Sequence, residues 1–274
     1  MSYTRFFILC WILCSGFIEL SHAQTIKLYR PTVIWGVSQA DYYFKDKSFA
    51  FMELHSRSST DASLNIFSDK FPGNQFVRLQ WLVGYERRFS ERWSGGLSYR
   101  TAYQKAFNIR YYRVYASHRG KLGKHWQISK TAAVERRVPV NDAASAAWRF
   151  RLWLGLSRRW QIHPKHRLNT VLSYEAFRIN LDDELPDEKK RRISRTRLRF
   201  ALEYPFSDKI TLSLFALRQT DYAVALVTSN PPPPTALTQN LNTVTPVYGI
   251  SLRWRINPPE ESAVDEQKTR EVEL

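Results

Sequence analysis

The chain has 274 residues, a formal net charge of +16 and 14% aromatic content. That length allows one large domain or two modest ones, and the charge is too high for an average soluble enzyme. A basic balance of this size points first to nucleic acid or an anionic surface, and the start of the chain argues against nucleic acid.

Residues 1–23, MSYTRFFILCWILCSGFIELSHA, carry an early Arg5, an apolar run from Phe6 to Leu13 and small residues at Ser21 and Ala23. This is the pattern of a secretory signal peptide cleaved before Gln24. Both cysteines, Cys10 and Cys14, fall inside it, so the mature chain has no thiol for a disulfide or a thiolate metal site. Leu9 and Leu13, which precede them, are too bulky for a lipoprotein cleavage site. After Gln24 no apolar stretch reaches the length of about 18 residues that a spanning helix requires. An exported chain of this kind is either a soluble β-protein or an outer-membrane barrel.

Residues 24–47 form a lead-in. TVIWGVSQADYYF, from Thr32, reads as a further strand preceded by a short one from Thr25, or else as a periplasmic lead-in or plug. Residues 48–257 carry the main pattern. Successive side chains of a strand point to opposite faces, and the parity is sorted. Val77, Leu79, Trp81, Val83, Tyr85 and Phe89 alternate with Arg78, Gln80, Gly84, Glu86 and Arg88. In WRFRLWLGLSRRW, Trp148, Phe150, Leu152, Leu154, Leu156 and Trp160 fall on one face, and Arg149, Arg151, Gly155, Ser157 and Arg159 on the other, with Trp153 and Arg158 as interruptions. A helix would scatter these arginines around its circumference. At about 3.3 Å per residue and about 45° of tilt, the two tryptophans are separated by roughly 28 Å along a membrane normal, close to the apolar band of an outer-membrane barrel.

The pattern returns in Leu198, Phe200, Leu202, Tyr204 and Phe206 against Arg197, Arg199, Ala201 and Glu203, and in Tyr248, Ile250, Leu252, Trp254 and Ile256 against Gly249, Ser251, Arg253 and Arg255. Weaker strands run from Trp93 to Tyr103, Tyr112 to Arg119, Trp126 to Arg137, Leu168 to Ile179 and Ile210 to Asp221; Lys130 breaks the apolar face of one. Short turns at Lys45 to Lys47, Ser90-Glu91, Gly120 to Lys124, His163 to Lys165 and Ser207-Asp208 take turns with longer connections. The longer ones are Ser59 to Gln75, Ala106 to Ile109, Pro139 to Ser145, Asn180 to Arg191 and Ala223 to Thr245. Short periplasmic turns and longer outer loops are the habit of bacterial barrels. The expected fold is all-β, a single antiparallel up-and-down transmembrane β-barrel of about ten strands, twelve if the lead-in joins, with both chain ends on the periplasmic side. Residues 258–274, PPEESAVDEQKTREVEL, carry six acids against two bases and read as a solvated, disordered acidic tail.

Trp35, Glu53 with Arg57, GYERRFSERWSGGLSYR from Gly84, VERR from Val134, RFRLWLGL from Arg149, SYEAFR from Ser173 and RLRFALEYPF from Arg197 carry a resemblance. Between Trp35 and Ile256 the chain resembles a family of small Gram-negative outer-membrane barrels known only as a domain of unknown function. That resemblance implies the barrel fold and brings no catalytic residues. The chain departs from many such barrels by running past Ile256 into the acidic tail instead of ending on an aromatic residue that the barrel assembly machinery reads.

The inward parity collects Arg57, Arg78, Arg88, Arg100, Arg113, Arg137, Arg149, Arg151, Arg195, Arg197, Arg199, Arg253 and Arg255 against Glu53, Glu86, Glu135, Glu175 and Glu203. Such a set packs a lumen as bidentate Arg/Glu pairs or, left unpaired, lines a narrow anion-selective channel. Trp81, Trp93, Trp126, Trp148, Trp160, Tyr204 and Trp254 are the expected aromatic girdle. Rim arginines suit lipopolysaccharide phosphates, which makes outer-membrane lipid and lipopolysaccharide the expected partners.

A lipid acyl hydrolase or acyltransferase would need a Ser and a His within reach. Of the mature histidines His55, His118, His125, His163 and His166, only His55 lies on the inward parity beside Glu53 and Arg57. No GxSxG, HExxH or phosphate-loop motif occurs, and no His cluster has metal-ligand spacing. The expectation is a non-enzymatic outer-membrane barrel without cofactor or metal, with any recognition on its outer loops. A soluble basic lipid-binding β-barrel is the reading that fractionation separates from it.

Overall fold

The computed structural model describes residues 25–45, 48–61, 76–104, 108–123, 125–140, 146–163, 166–180, 192–226 and 238–258. They form twelve strands, β1 (Thr25–Tyr29), β2 (Val33–Tyr43), β3 (Ser48–Ser59), β4 (Phe76–Arg88), β5 (Trp93–Gln104), β6 (Ile109–Leu122), β7 (Trp126–Pro139), β8 (Ala147–His163), β9 (His166–Asn180), β10 (Arg195–Pro205), β11 (Ile210–Leu226) and β12 (Thr238–Ile256). Neighbours in sequence from β2 to β12 pair antiparallel, and β12 pairs back onto β2, closing a cylinder of eleven strands. Closure leaves no free edge in the wall, the condition for a β-structure to cross hydrocarbon. β2 to β12 are each at least 11 residues long, enough to cross a bilayer at the usual tilt.

The fold class expected from the alternation stands. The optional strand of the lead-in is β2, which closes the wall, and the short one from Thr25 is β1. An odd number of strands makes the seam parallel: Val247 to Ile256 run alongside Val33 to Tyr42 in the same direction. One expectation fails here. Because β1 and β2 both run parallel to β12, β1 starting opposite Asn240 and β2 opposite Val247, the described chain enters at the long-connection rim and leaves at the short-turn rim, so its two ends lie at opposite ends of the barrel.

β1 also pairs parallel with β12, from Thr25↔Asn240 to Tyr29↔Val244, and β2 resumes at Val33↔Val247. The gap between these ladders holds Pro31 on one side and Pro246 on the other. Neither can donate an amide to a ladder, so the two prolines fall where pairing stops. β10 begins opposite Asp221, and therefore Tyr222 to Leu226 of β11 and the start of β12 project past it, with β1 alongside. Most of the stretch Ala223 to Thr245, expected as a loop, is thus paired strand: Ala223 to Leu226 and Thr238 to Thr245 belong to the β11–β12 ladder. Its Pro run 231–234, the loop core 62–75, the signal segment 1–23 and the tail from 259 lie outside the described residues.

Two short turns are closed by a serine. Ser90 Oγ accepts from the amides of Arg92 and Trp93 at 3.3 and 3.1 Å, and Ser207 Oγ accepts from those of Lys209 and Ile210 at 3.3 and 3.2 Å. Gly123, with φ of 74°, turns the chain between β6 and β7, a conformation open to glycine at no steric cost.

The parity is the one the sequence requires. On β8, Trp148, Phe150, Leu152 and Leu154 are exposed on the outer wall, while Arg149 is buried and Arg151 half-buried inside. Met52 and Leu54 on β3, Leu198 and Phe200 on β10, and Ile250, Leu252 and Trp254 on β12 are likewise exposed outward. Trp153, an interruption in the sequence pattern, points inward and lies over Gly155, whose missing side chain leaves room for the ring. Lys130 faces outward in register with His118 and Leu154, so the register of β7 is not slipped.

Candidate functional site

The site is the lumen. Its centre is a chain of ion pairs built by register. Glu135 on β7 lies directly opposite Arg149 on β8, and Glu175 on β9 lies opposite Arg197 on β10. Arg149 is held by Glu135 through both Nε, at 2.7 Å, and Nη2. Arg151 bridges the two acids, its Nε on Glu175 and its Nη1 3.4 Å from Glu135. Arg197 Nη1 reaches Glu175 at 3.2 Å and its Nε donates to Gln219 Oε1 at 2.9 Å. Arg100 comes from β5, with Nη2 3.4 Å from Glu135. Glu135 is fully buried, which three guanidinium groups around one carboxylate make tolerable.

Aromatic rings fill the space between these charges. Arg149, Arg151 and Arg197 lie 5.2, 5.4 and 4.9 Å from the centroid of the Phe177 ring. Arg100 and Arg149 lie 4.0 and 4.9 Å from that of Tyr111. These cation–π contacts let the guanidinium faces pack on hydrocarbon while their edges hold carboxylates.

Smaller units lie elsewhere in the interior. Glu86 accepts from Tyr115 Oη at 2.8 Å and lies 3.8 Å from Arg119. Arg195 pairs with Asp221 beside it on β11. Arg253 Nε donates to Asp41 Oδ2 at 2.6 Å, and Gln39 Nε2 donates to Asp41 Oδ1 at 2.7 Å. Arg113 stacks on Tyr115 at 4.3 Å and Arg199 on Phe215 at 4.2 Å.

Of the residues expected in the lumen, Glu135, Glu175, Arg100, Arg149, Arg151 and Arg197 come together. Arg88, Glu203 and Arg255 have the inward parity but join none of the described ion pairs, and Arg137 is half-buried at the end of β7. Glu53 does not pair with Arg57: its partner is His55, whose Nε2 lies 2.7 Å from Glu53 Oε2. Arg57 instead stacks on Trp35 at 3.9 Å. The sequence reading missed Asp41, Asp221, Tyr111 and Arg119. Asp41 shares the parity of Trp35, Val37 and Gln39, a signal that was present once residues 32–44 are read as wall.

The residues expected as a girdle lie on the outer wall. Trp93 and Trp126 open their strands, and Trp160, Tyr204 and Trp254 lie near the ends of theirs, all toward the short-turn rim. Arg158, the second interruption of the β8 pattern, lies 3.7 Å from the Trp160 ring and 5.3 Å from the Trp126 ring. Trp148 stands near the opposite rim with Arg136 5.1 Å from its ring. Trp81 is not at a rim: it lies in the middle of β4, packed edge-on against Tyr99 at 5.4 Å.

Among the described residues, no group of three or more His, Cys, Asp or Glu could hold a metal ion, and no helix is long and apolar enough to cross a membrane.

Comparison with solved structures finds similar chains at low identity. The chain is similar to a bacterial polysaccharide outer membrane secretin, with 9% identity over 65% of this chain and 59% of that one and a TM-score of 0.44. It thus spans about three-fifths of the secretin's length. It is also similar to the NanC porin (10% identity, 66% of this chain and 78% of that one, TM-score 0.38). A third is an anion-selective porin from Comamonas acidovorans (12% identity, 74% and 58%, TM-score 0.31). Comparison with curated proteins found no match. The model of the family described as "Protein of unknown function (DUF2490)" matches residues 32–229, most of the barrel, and the chain belongs to that family.

Proposed function

We propose that the chain is an outer-membrane β-barrel without catalytic activity, whose lumen is crossed by an Arg/Glu network. The observation that carries this is the run Arg149–Glu135–Arg151–Glu175–Arg197, which ties β7, β8, β9 and β10 together through the interior and takes in Arg100 from β5. Charges joined in this way fill space and hold the wall; an open pore would leave them facing water.

The outward apolar band and the girdle support an outer-membrane location, reached through the segment 1–23 and the assembly machinery. Arg110, Arg136 and Arg178 lie on the outward parity toward the long-connection ends of their strands. They suit lipopolysaccharide phosphates. Recognition by the outer loops falls on residues outside the described ones. His55 has Val37 and Gln80 as its cross-strand neighbours.

Planar-bilayer recording of the purified protein tests the reading, together with fractionation. Wild type is expected in the outer-membrane fraction with little steady conductance. Recovery from the periplasm without detergent would remove it. The second reading, a narrow anion-selective channel, is favoured by the excess of inward guanidinium groups over carboxylates. Steady conductance with an anion-selective reversal potential would establish it instead.

A further inference from the structure

Among the inward arginines outside the Arg/Glu network, two face each other. Arg57 on β3 and Arg78 on β4 are direct cross-strand partners, both near the long-connection ends of their strands. Like charges placed opposite each other repel. Among the described residues neither has a carboxylate within ion-pair distance, unlike Arg149, Arg151 and Arg197. Arg57 Cζ lies 3.9 Å from the centroid of the Trp35 ring, and Arg78 Nη2 donates to Tyr111 Oη at 3.1 Å. The Nε atoms of both are buried with no hydrogen-bond partner. An orphaned pair of buried guanidinium donors calls for a counter-charge.

A third cation stands close. Arg197 lies 5.3 Å from the centroid of the same Trp35 ring that Arg57 covers at 3.9 Å, so strands β3 and β10 meet over one side chain of β2. Trp35 itself rests on Phe215, Leu217, Val247 and Ala201, a buried apolar floor that fixes the indole. The result is a cationic mouth with a rigid aromatic base in the outer half of the lumen.

We infer that this mouth is a binding site for a small solute bearing a phosphate or carboxylate group, held by the edges of Arg57 and Arg78 beside Trp35. An oxyanion with two or more acceptor oxygens can take an Nη–H from each guanidinium at once, in charge-assisted hydrogen bonds of the kind arginine makes to phosphate and carboxylate. Chloride has no such geometry. The site rests on the lumen reading above but is read out in detergent solution, where conductance and location play no part.

The test is calorimetric titration of the purified full chain with inorganic phosphate, acetate and, as control, chloride. Saturable one-site binding of phosphate or acetate over chloride is expected, and the preferred anion tells phosphate from carboxylate chemistry. Arg57→Gln and Arg78→Gln should each weaken it at least tenfold, while Arg88→Gln, at the far end of β4, leaves it unchanged. Arg78→Lys, which keeps the charge without the bidentate edge, serves if a Gln variant fails to fold, and should also bind several-fold more weakly. Absence of saturable binding in wild type, or equal binding in the folded Arg57 and Arg78 variants, would overturn the site.

Discussion

Arg253 Nε donates to Asp41 Oδ2 at 2.6 Å across the one seam where the wall is parallel. Asp41 is fully buried, and Gln39 fills its other oxygen. The bond joins strands more than 200 residues apart at the step that closes the cylinder. Asp41→Asn should therefore cost about 3 kcal/mol, the lower end for breaking a buried pair because the Arg253 side chain retains contact with water. Urea unfolding in micelles checks this, and adding Arg253→Gln to the variant should restore part of the loss.

Glu135 neutralises Arg100, Arg149 and Arg151 at once. Glu135→Gln leaves three guanidinium groups around a neutral amide and should destabilise the barrel by about 3–5 kcal/mol, more than any other single removal in the network. Where enough of the variant folds for bilayer recording, the added positive charge should shift any residual current toward anions. A variant as stable as wild type would show that the network does not hold the wall.

Leu152 is 63% exposed on the outer face of β8, one residue from inward Arg151. Leu152→Arg should cost about 2–4 kcal/mol in a bilayer and almost nothing if that face met water. Folding titration into lipid vesicles decides between the two.

Gly249 gives up its side chain to the ring of Phe215, which a Cβ there would strike. Phe215 packs edge-on against Trp35 with centroids 6.3 Å apart. Gly249→Ala should cost about 1–3 kcal/mol through overpacking. The pair Gly249→Ala with Phe215→Leu should lose less than the sum of the two single variants when thermal unfolding is compared.

The alternation of Trp148 to Leu154 made the strand, the outer face and the inner arginines legible before any fold was in hand, because a period of two sorts side chains wherever the strand pairs. For the same reason the ten strands from Ser48 to Ile256 could be counted from their turns. Parity is blind to direction, however: Val33 to Tyr42 alternate equally well beside a parallel or an antiparallel neighbour. Only closure revealed that β2 seals the wall against β12, that the described strands begin and end at opposite rims, and that Asp41 is a lumen acid. Which inward charges meet was also beyond the linear pattern. Glu53 and Arg57, on one face with His55 between them, separate to His55 and Trp35, whereas Glu135 and Arg100 come together from strands that do not pair with each other. Reach across a narrow lumen depends on the register and curvature of the closed cylinder, which no single strand encodes.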